Sequence, residues 1–161
     1  MAFAKFILSY FGFGLIPVAP GTFGTLGAAL TAWGILIARP DLMERGPLIC
    51  GAWIALASAL TILLTPVIES GVKVKDPGII VMDEVAGYWA TLIFLPRIEL
   101  THLVAAFFIF RLFDIVKPFP ANWMERLPSG FGVLLDDVVA GLYGGLLLYG
   151  VDHFASTWRG L

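Results

Sequence analysis

Residues 76–87 read DPGIIVMDEVAG, with three acids inside or beside an apolar run. Asp83 and Glu84 stand between Ile79-Ile80-Val81-Met82 and Val85-Ala86-Gly87-Tyr88-Trp89. On a water-exposed surface such a pair would need no explanation. In a chain of mean hydropathy +0.91 it does. A carboxylate at membrane depth costs about 2.5–3.5 kcal/mol, which makes intramembrane acids functional candidates. Residues 130–145, GFGVLLDDVVAGLYGG, repeat the situation with Asp136-Asp137. The fold has to account for two acidic pairs in two apolar segments.

The composition places those segments in a membrane. Of the 161 residues, 59% are hydrophobic and 14% charged, against roughly 25% charged in soluble domains. The length suits one helical membrane domain over residues 1–161. A net charge of −2 argues against a nucleic-acid partner. Cys50 is the one cysteine; it has no internal disulfide partner and reads as a small buried hydrophobe.

Hydropathy and helix breakers predict an all-α, multi-pass protein with about five membrane-embedded helices and an N-terminal interfacial segment over residues 3–11. A cleaved leader is disfavoured, because Val18-Ala19-Pro20 is a poor cleavage site. Pro17, Pro20 and Gly21 interrupt the first apolar stretch, so the first span is expected after Thr22 as N-cap and runs to Ala38. Residues 47–68 carry no charge and form the clearest span, with Pro66 and Gly71 expected to close it. The third is expected over residues 78–95, the fourth over 100–116 and the fifth over 131–151.

Alternation of five spans has a consequence for the polar residues. If the N-terminus is cytoplasmic, residues 17–25, 73–84, 111–117 and the pair Asp136-Asp137 all fall on the inner side. Charge bias supports this orientation weakly: Lys5, Lys73, Lys75, Lys117 and Arg126 would lie inside, and Arg39, Arg45, Arg97 and Arg159 outside. His102 and His153 would both sit at the opposite interface.

The clustered residues suggest a chemistry. Asp137, Gly141 and Gly145 share one helical face, and Asp83, Gly87 and Ala90 share another. Small residues at this spacing let helices approach closely, and so let the acids meet. Two carboxylates about 4 Å apart repel by roughly 4 kcal/mol at an effective dielectric of 20. They must bind a cation, take up protons or pair with bases. Oxygen donors without His or Cys suit Mg²⁺, Ca²⁺ or Mn²⁺ rather than Zn²⁺. Arg111, Asp114 and Lys117 lie at i, i+3, i+6, and such bases beside a hard-metal site suit phosphate. The loop GFGLIPVAPGTFGTLG, residues 12–27, supplies Thr22 and Thr25 and leads into a helix N-terminus, a natural anion site. It is not a Walker loop, because no Lys follows the glycines.

Four blocks carry a family resemblance. PVAPGTFGTLGA (17–28), DPGIIVMDEVAG (76–87), FRLFDIVKPFP (110–120) and GVLLDDVVAG (132–141) resemble, in order, the characteristic blocks of bacterial phosphatidylglycerophosphatase A. The resemblance implies an Mg²⁺-dependent phosphatase of the bacterial inner membrane, acting on a phospholipid substrate from the cytoplasmic side. It would convert phosphatidylglycerophosphate to phosphatidylglycerol.

The combined expectation is a centre of Asp83, Glu84, Asp136 and Asp137, with Asp76 and Asp114 as further metal ligands. Lys117 would serve catalysis, and Thr22, Thr25, Arg111 and Lys117 would grip phosphate. Direct attack by water and a phospho-aspartyl intermediate both suit these residues. The alternative is a cation- or proton-coupled transporter, which would spread its acids through the membrane depth.

Overall fold

The computed structural model describes residues 1–72, 77–124 and 126–159. Helices account for the regular structure, and no strand occurs among the described residues. In chain order they are α1 (Ala2–Leu8), a short 3₁₀ turn (Phe13–Leu15), α2 (Pro20–Ala38), α3 (Pro40–Met43), α4 (Gly46–Val72), α5 (Met82–Leu92), α6 (Leu100–Val116), α7 (Ala121–Met124) and α8 (Ser129–Arg159). Among the described residues, three are long and apolar enough to cross a membrane: Pro20–Ala38, Gly46–Gly71 and Ser129–Thr157.

The expected third span is therefore a different kind of element. α5 has 11 residues, about 16 Å at 1.5 Å per residue, roughly half of a 30 Å hydrocarbon layer. It is flanked by Pro77-Gly78 on one side and a turn containing Pro96 on the other. Every residue from Val85 to Leu92 is buried. Irregular backbone at membrane depth is tolerated where protein covers it, and here α2, α4, α6 and α8 all pack on α5. The expected fourth helix is α6, whose 17 residues span about 25 Å.

Close approach of backbones fixes the short helix. A Cβ on Gly141 would strike the Gly87 carbonyl, and one on Gly87 would meet the Asp137 carbonyl oxygen at 2.7 Å. One turn on, a Cβ on Gly145 would come within 3.0 Å of the Ala90 carbonyl oxygen. α5 and α8 thus run parallel along the small-residue faces read from the sequence. This contact suits lipid, where apolar surface gains nothing by leaving hydrocarbon and packing must hold helices together. On the other side Trp89 stacks on Trp53 at 5.5 Å between ring centres. The Tyr88 hydroxyl donates to the Leu103 carbonyl at 3.1 Å.

Chain direction alternates despite the short helix. The start of α4 meets the end of α5, with the Gly46 amide donating to the Pro96 carbonyl at 3.1 Å. At the other end of α4, the Ser129 hydroxyl of α8 donates to Glu69 at 2.6 Å. His102, at the start of α6, meets Asp152 near the end of α8 at 3.1 Å. Hence α2, α5 and α8 point one way, and α4 and α6 the other. The two histidines lie at the end opposite the acidic pairs, as alternation requires.

Three boundaries differ from the sequence reading. α2 starts at Pro20 rather than after Thr22, with Ala19 in the left-handed region as N-cap. Proline suits the first helical position, where its missing N–H would be unsatisfied anyway. α4 continues through Pro66 to Val72, because neighbouring helices can cover a proline break in a membrane helix. α8 starts at Ser129, two turns before Asp136, and continues to Arg159. At the N-terminus, α1 buries Ala4 and Leu8 while Phe3, Phe6 and Phe11 are exposed. The Leu8 carbonyl accepts from the Val81 amide at 2.9 Å, which ties this apolar patch to the beginning of α5.

Candidate active site

Because α5 is short, its N-terminus lies inside the bundle, level with the third turn of α8. A cavity of about 300 Å³ opens there. Its walls come from the starts of α2, α5 and α8 and the end of α6, with Asp83, Glu84, Asp114, Lys117, Asp136 and Asp137 among the lining residues. Asp83 and Glu84 occupy the first turn of α5, where the partial positive charge of the helix N-terminus favours acids. Asp83, Asp136 and Asp137 are almost wholly buried.

Asp83, Glu84 and Asp137 each offer an oxygen, and the three oxygens lie within 4.8 Å of one another. At that separation each charged pair would repel by roughly 3–4 kcal/mol at an effective dielectric of 20. Glu84 Oε2 is buried without a hydrogen-bond partner, which is costly for a carboxylate oxygen. Three hard oxygen donors and an unsatisfied buried atom fit a divalent cation. Asp83, Glu84 and Asp137 are the residues that would hold it.

The other two acids are engaged differently. Lys117 Nζ donates to Asp136 at 2.6 Å, and Arg111 donates to Asp114. The sequence reading placed Arg111, Asp114 and Lys117 along one helical face. Arg111 and Asp114 keep that register. Lys117 leaves it, because it is the C-cap of α6 in the left-handed region with φ 44°, and its ammonium reaches α8. Each base thus bridges to an acid while facing the cavity end of the bundle.

The glycine-rich loop contributes backbone rather than hydroxyls. Pro20 and Gly21 line the cavity. A Cβ on Gly21 would collide with Glu84 Oε1 and lie 3.1 Å from Arg111 Nη1, so α2 can approach these side chains only at a glycine. Thr25 is fully buried and its hydroxyl donates to the Gly21 carbonyl at 2.9 Å. Thr22 sits in the first turn of α2, and neither threonine is among the lining residues. Gly78, Gly132 and Val133 line the cavity without having been singled out. Gly132 stands four residues before Asp136, a helical spacing that marked it as a neighbour. Asp76, a further candidate ligand, lies outside the described residues.

Acids elsewhere follow another pattern. Among the described residues, Asp41, Glu44, Glu99 and Asp152 gather at the opposite end of the bundle. Helical acids are therefore not spread through the membrane depth as a transporter pathway would place them.

The chain matches the family described as phosphatidylglycerophosphatase A over residues 6–152. It is 35% identical over 144 residues to the phosphatidylglycerophosphatase A of Escherichia coli K12, covering 89% of this chain and 80% of that one. It is 36% identical over 145 residues to the Haemophilus influenzae protein of the same name, covering 89% and 85%. A Bacteroides thetaiotaomicron protein, provisionally named a phosphatidylinositol-3-phosphatase, is 38% identical over 146 residues, covering 86% of each chain. No solved structure matches the chain. With the match running from the interfacial segment through the last acidic pair, this chain belongs to the phosphatidylglycerophosphatase A family.

Proposed function

We propose that this protein hydrolyses the terminal phosphate monoester of phosphatidylglycerophosphate, releasing phosphatidylglycerol and phosphate. The reading places the reaction at the cytoplasmic face of a bacterial inner membrane and makes it dependent on Mg²⁺. One observation carries it: Asp83, Glu84 and Asp137 converge in a cavity that Lys117, Asp136 and Asp114 also line, with Arg111 paired to Asp114 beside it.

Five carboxylates and two cations lie in or beside the cavity among the described residues. That excess of negative charge would repel a phosphate monoester from a bare site. Mg²⁺ held by Asp83, Glu84 and Asp137 would supply Lewis acidity toward a phosphoryl oxygen and lower the pKa of a bound water. Lys117 and Arg111 hold the remaining phosphoryl oxygens and offset charge as the transferring group flattens. Asp136 and Asp114 keep those cations in place, and either carboxylate is placed to orient a water as general base. Water forms the new P–O bond and yields a proton to that carboxylate, the ester P–O bond breaks, and the same proton passes to the departing glycerol oxygen. The exposed Phe3, Phe6 and Phe11, at the same end as the cavity, suit an interfacial anchor at the level where a lipid head group lies.

The test is phosphate release from phosphatidylglycerophosphate in detergent micelles. Release with Mg²⁺ that stops on adding EDTA and returns with excess Mg²⁺ is expected. Undiminished release in EDTA would refute the metal assignment, and no release under any condition would refute the substrate.

A further inference from the structure

A second concavity lies outside the carboxylate site. It is a groove of about 440 Å³ between α2 and α6 with no polar lining surface. On α2 it is walled by Leu26, Ala29, Leu30 and Trp33, at i, i+3, i+4, i+7. On α6 it is walled by Val104, Phe107 and Phe108, and the same spacing continues from Val104 to Arg111. Leu30, Val104 and Phe108 are 45%, 54% and 67% exposed, so the floor is not filled by the protein itself.

The groove leads toward the active site along α6, where Arg111 continues the face of Val104, Phe107 and Phe108; on α2, Leu26 and Gly21 stand on different faces of the helix. Phe108 precedes Arg111 by three residues, about 4.5 Å along α6, and Leu26 follows Gly21 by five, about 7.5 Å along α2. At the junction Arg111 reaches across to Gly21 and Glu84. Arg111 donates to Asp114 through Nη1, while its Nε is buried with no partner. The sequence of surfaces is thus apolar groove, guanidinium with an unused donor, then carboxylate cavity. That order matches a phospholipid laid end to end, with an acyl chain in the groove and its terminal phosphate at Arg111 and the cavity.

We infer that the α2–α6 groove seats an acyl chain of the lipid whose head group enters the carboxylate cavity. The inference rests on the proposed activity for the identity of that lipid. The groove selects the lipid-borne phosphate over its water-soluble head group, and its length follows the chain.

Photo-crosslinking tests this without turnover. A phosphatidylglycerophosphate with a diazirine in one acyl chain is irradiated with the full-length protein in micelles, and labelled residues are mapped by mass spectrometry. Labels on α2 residues 26–33 and α6 residues 104–108 are expected, displaced by excess unlabelled phosphatidylglycerophosphate and not by phosphatidylcholine. Labels scattered around the bundle, or not displaced, would overturn the inference as bulk lipid contact. Groove-filling variants Leu30→Trp and Val104→Trp should raise KM for the long-chain substrate about tenfold, with kcat and hydrolysis of the deacylated head group unchanged. Leu63→Trp, at an exposed α4 position outside the groove, should change neither. Wild-type KM in both groove variants would also overturn it. Phosphate release with scattered labels would reject the groove alone. Displaceable groove labels without phosphate release would reject the activity and keep the groove.

Discussion

The two ends of the helix bundle handle charge in opposite ways. At the far end, the ion pairs are mostly between sequence neighbours. Arg39 meets Asp41 at 2.8 Å with both side chains about 60% exposed, and its hydrogen bonds hold the Asp41 carboxyl below the usual carboxylate range. Arg97 lies 3.9 Å from Glu99. Glu99 and His102 complete a capping box, and His102 alone reaches to another helix. At the near end five carboxylates and two bases from three helices gather at the cavity, and four of the carboxylates, Asp83, Asp114, Asp136 and Asp137, are buried. Exposed pairs contribute little, because water already solvates both members. Buried like charges cost much unless something compensates them. The far end needs no ligand. At the near end a bound cation would offset the like charges of Asp83, Glu84 and Asp137.

That contrast can be broken by substitution. Asp83→Asn or Asp137→Asn should lower kcat for phosphate release on the order of 10³-fold with Mg²⁺ present. In EDTA the melting temperature of either variant should hold or rise, since a repelling charge has gone. Near-normal turnover in both variants would remove the near end's claim to function. Lys117→Ala and Arg111→Ala each leave an acid without its paired cation; on the proposed role of both in holding phosphate, losses of roughly 10²-fold in kcat/KM are expected. Gly141→Ala tests the support instead of the chemistry. Its Cβ must push Gly87 away, parting α5 from α8, and a loss of about 1–3 kcal/mol in stability is expected together with reduced activity. At the far end, His102→Ala should leave turnover within about twofold and lower stability by about 1 kcal/mol. Arg39→Ala should shift neither turnover nor melting temperature measurably. If it lowered turnover as Lys117→Ala does, the division between the ends would be false.

Most of this division is visible in the order of residues. Acids in apolar segments stand out because their transfer into hydrocarbon is unfavourable, and chain reversal at each polar turn carries alternate helix ends to one side. The small residues of α5 and α8 announce a close crossing before any coordinate is known. Less visible is the way α5 achieves its depth. A run such as residues 78–95 has the apolar character of a span, and nothing in its composition distinguishes a helix that crosses from a shorter one encased by its neighbours. Likewise, Lys117 belongs by spacing to the face of Arg111 and Asp114. A left-handed residue at the end of α6 turns it toward Asp136 instead, and a single backbone dihedral leaves no periodic trace.

The sequence by itself determined the helical class, the membrane setting, the pairing of small residues and the set of acids and bases at one end. These follow from side-chain solvation and from the 3.6-residue repeat, both local properties. Only the tertiary structure decided which acids face one another: Asp83, Glu84 and Asp137 together, with Asp136 and Asp114 each held by a base. It also decided that Gly21, and not Thr25, meets the cavity, and that an apolar groove lies between α2 and α6. Those outcomes depend on the depth and rotation of each helix against its neighbours, which are set by contacts between residues far apart in the chain.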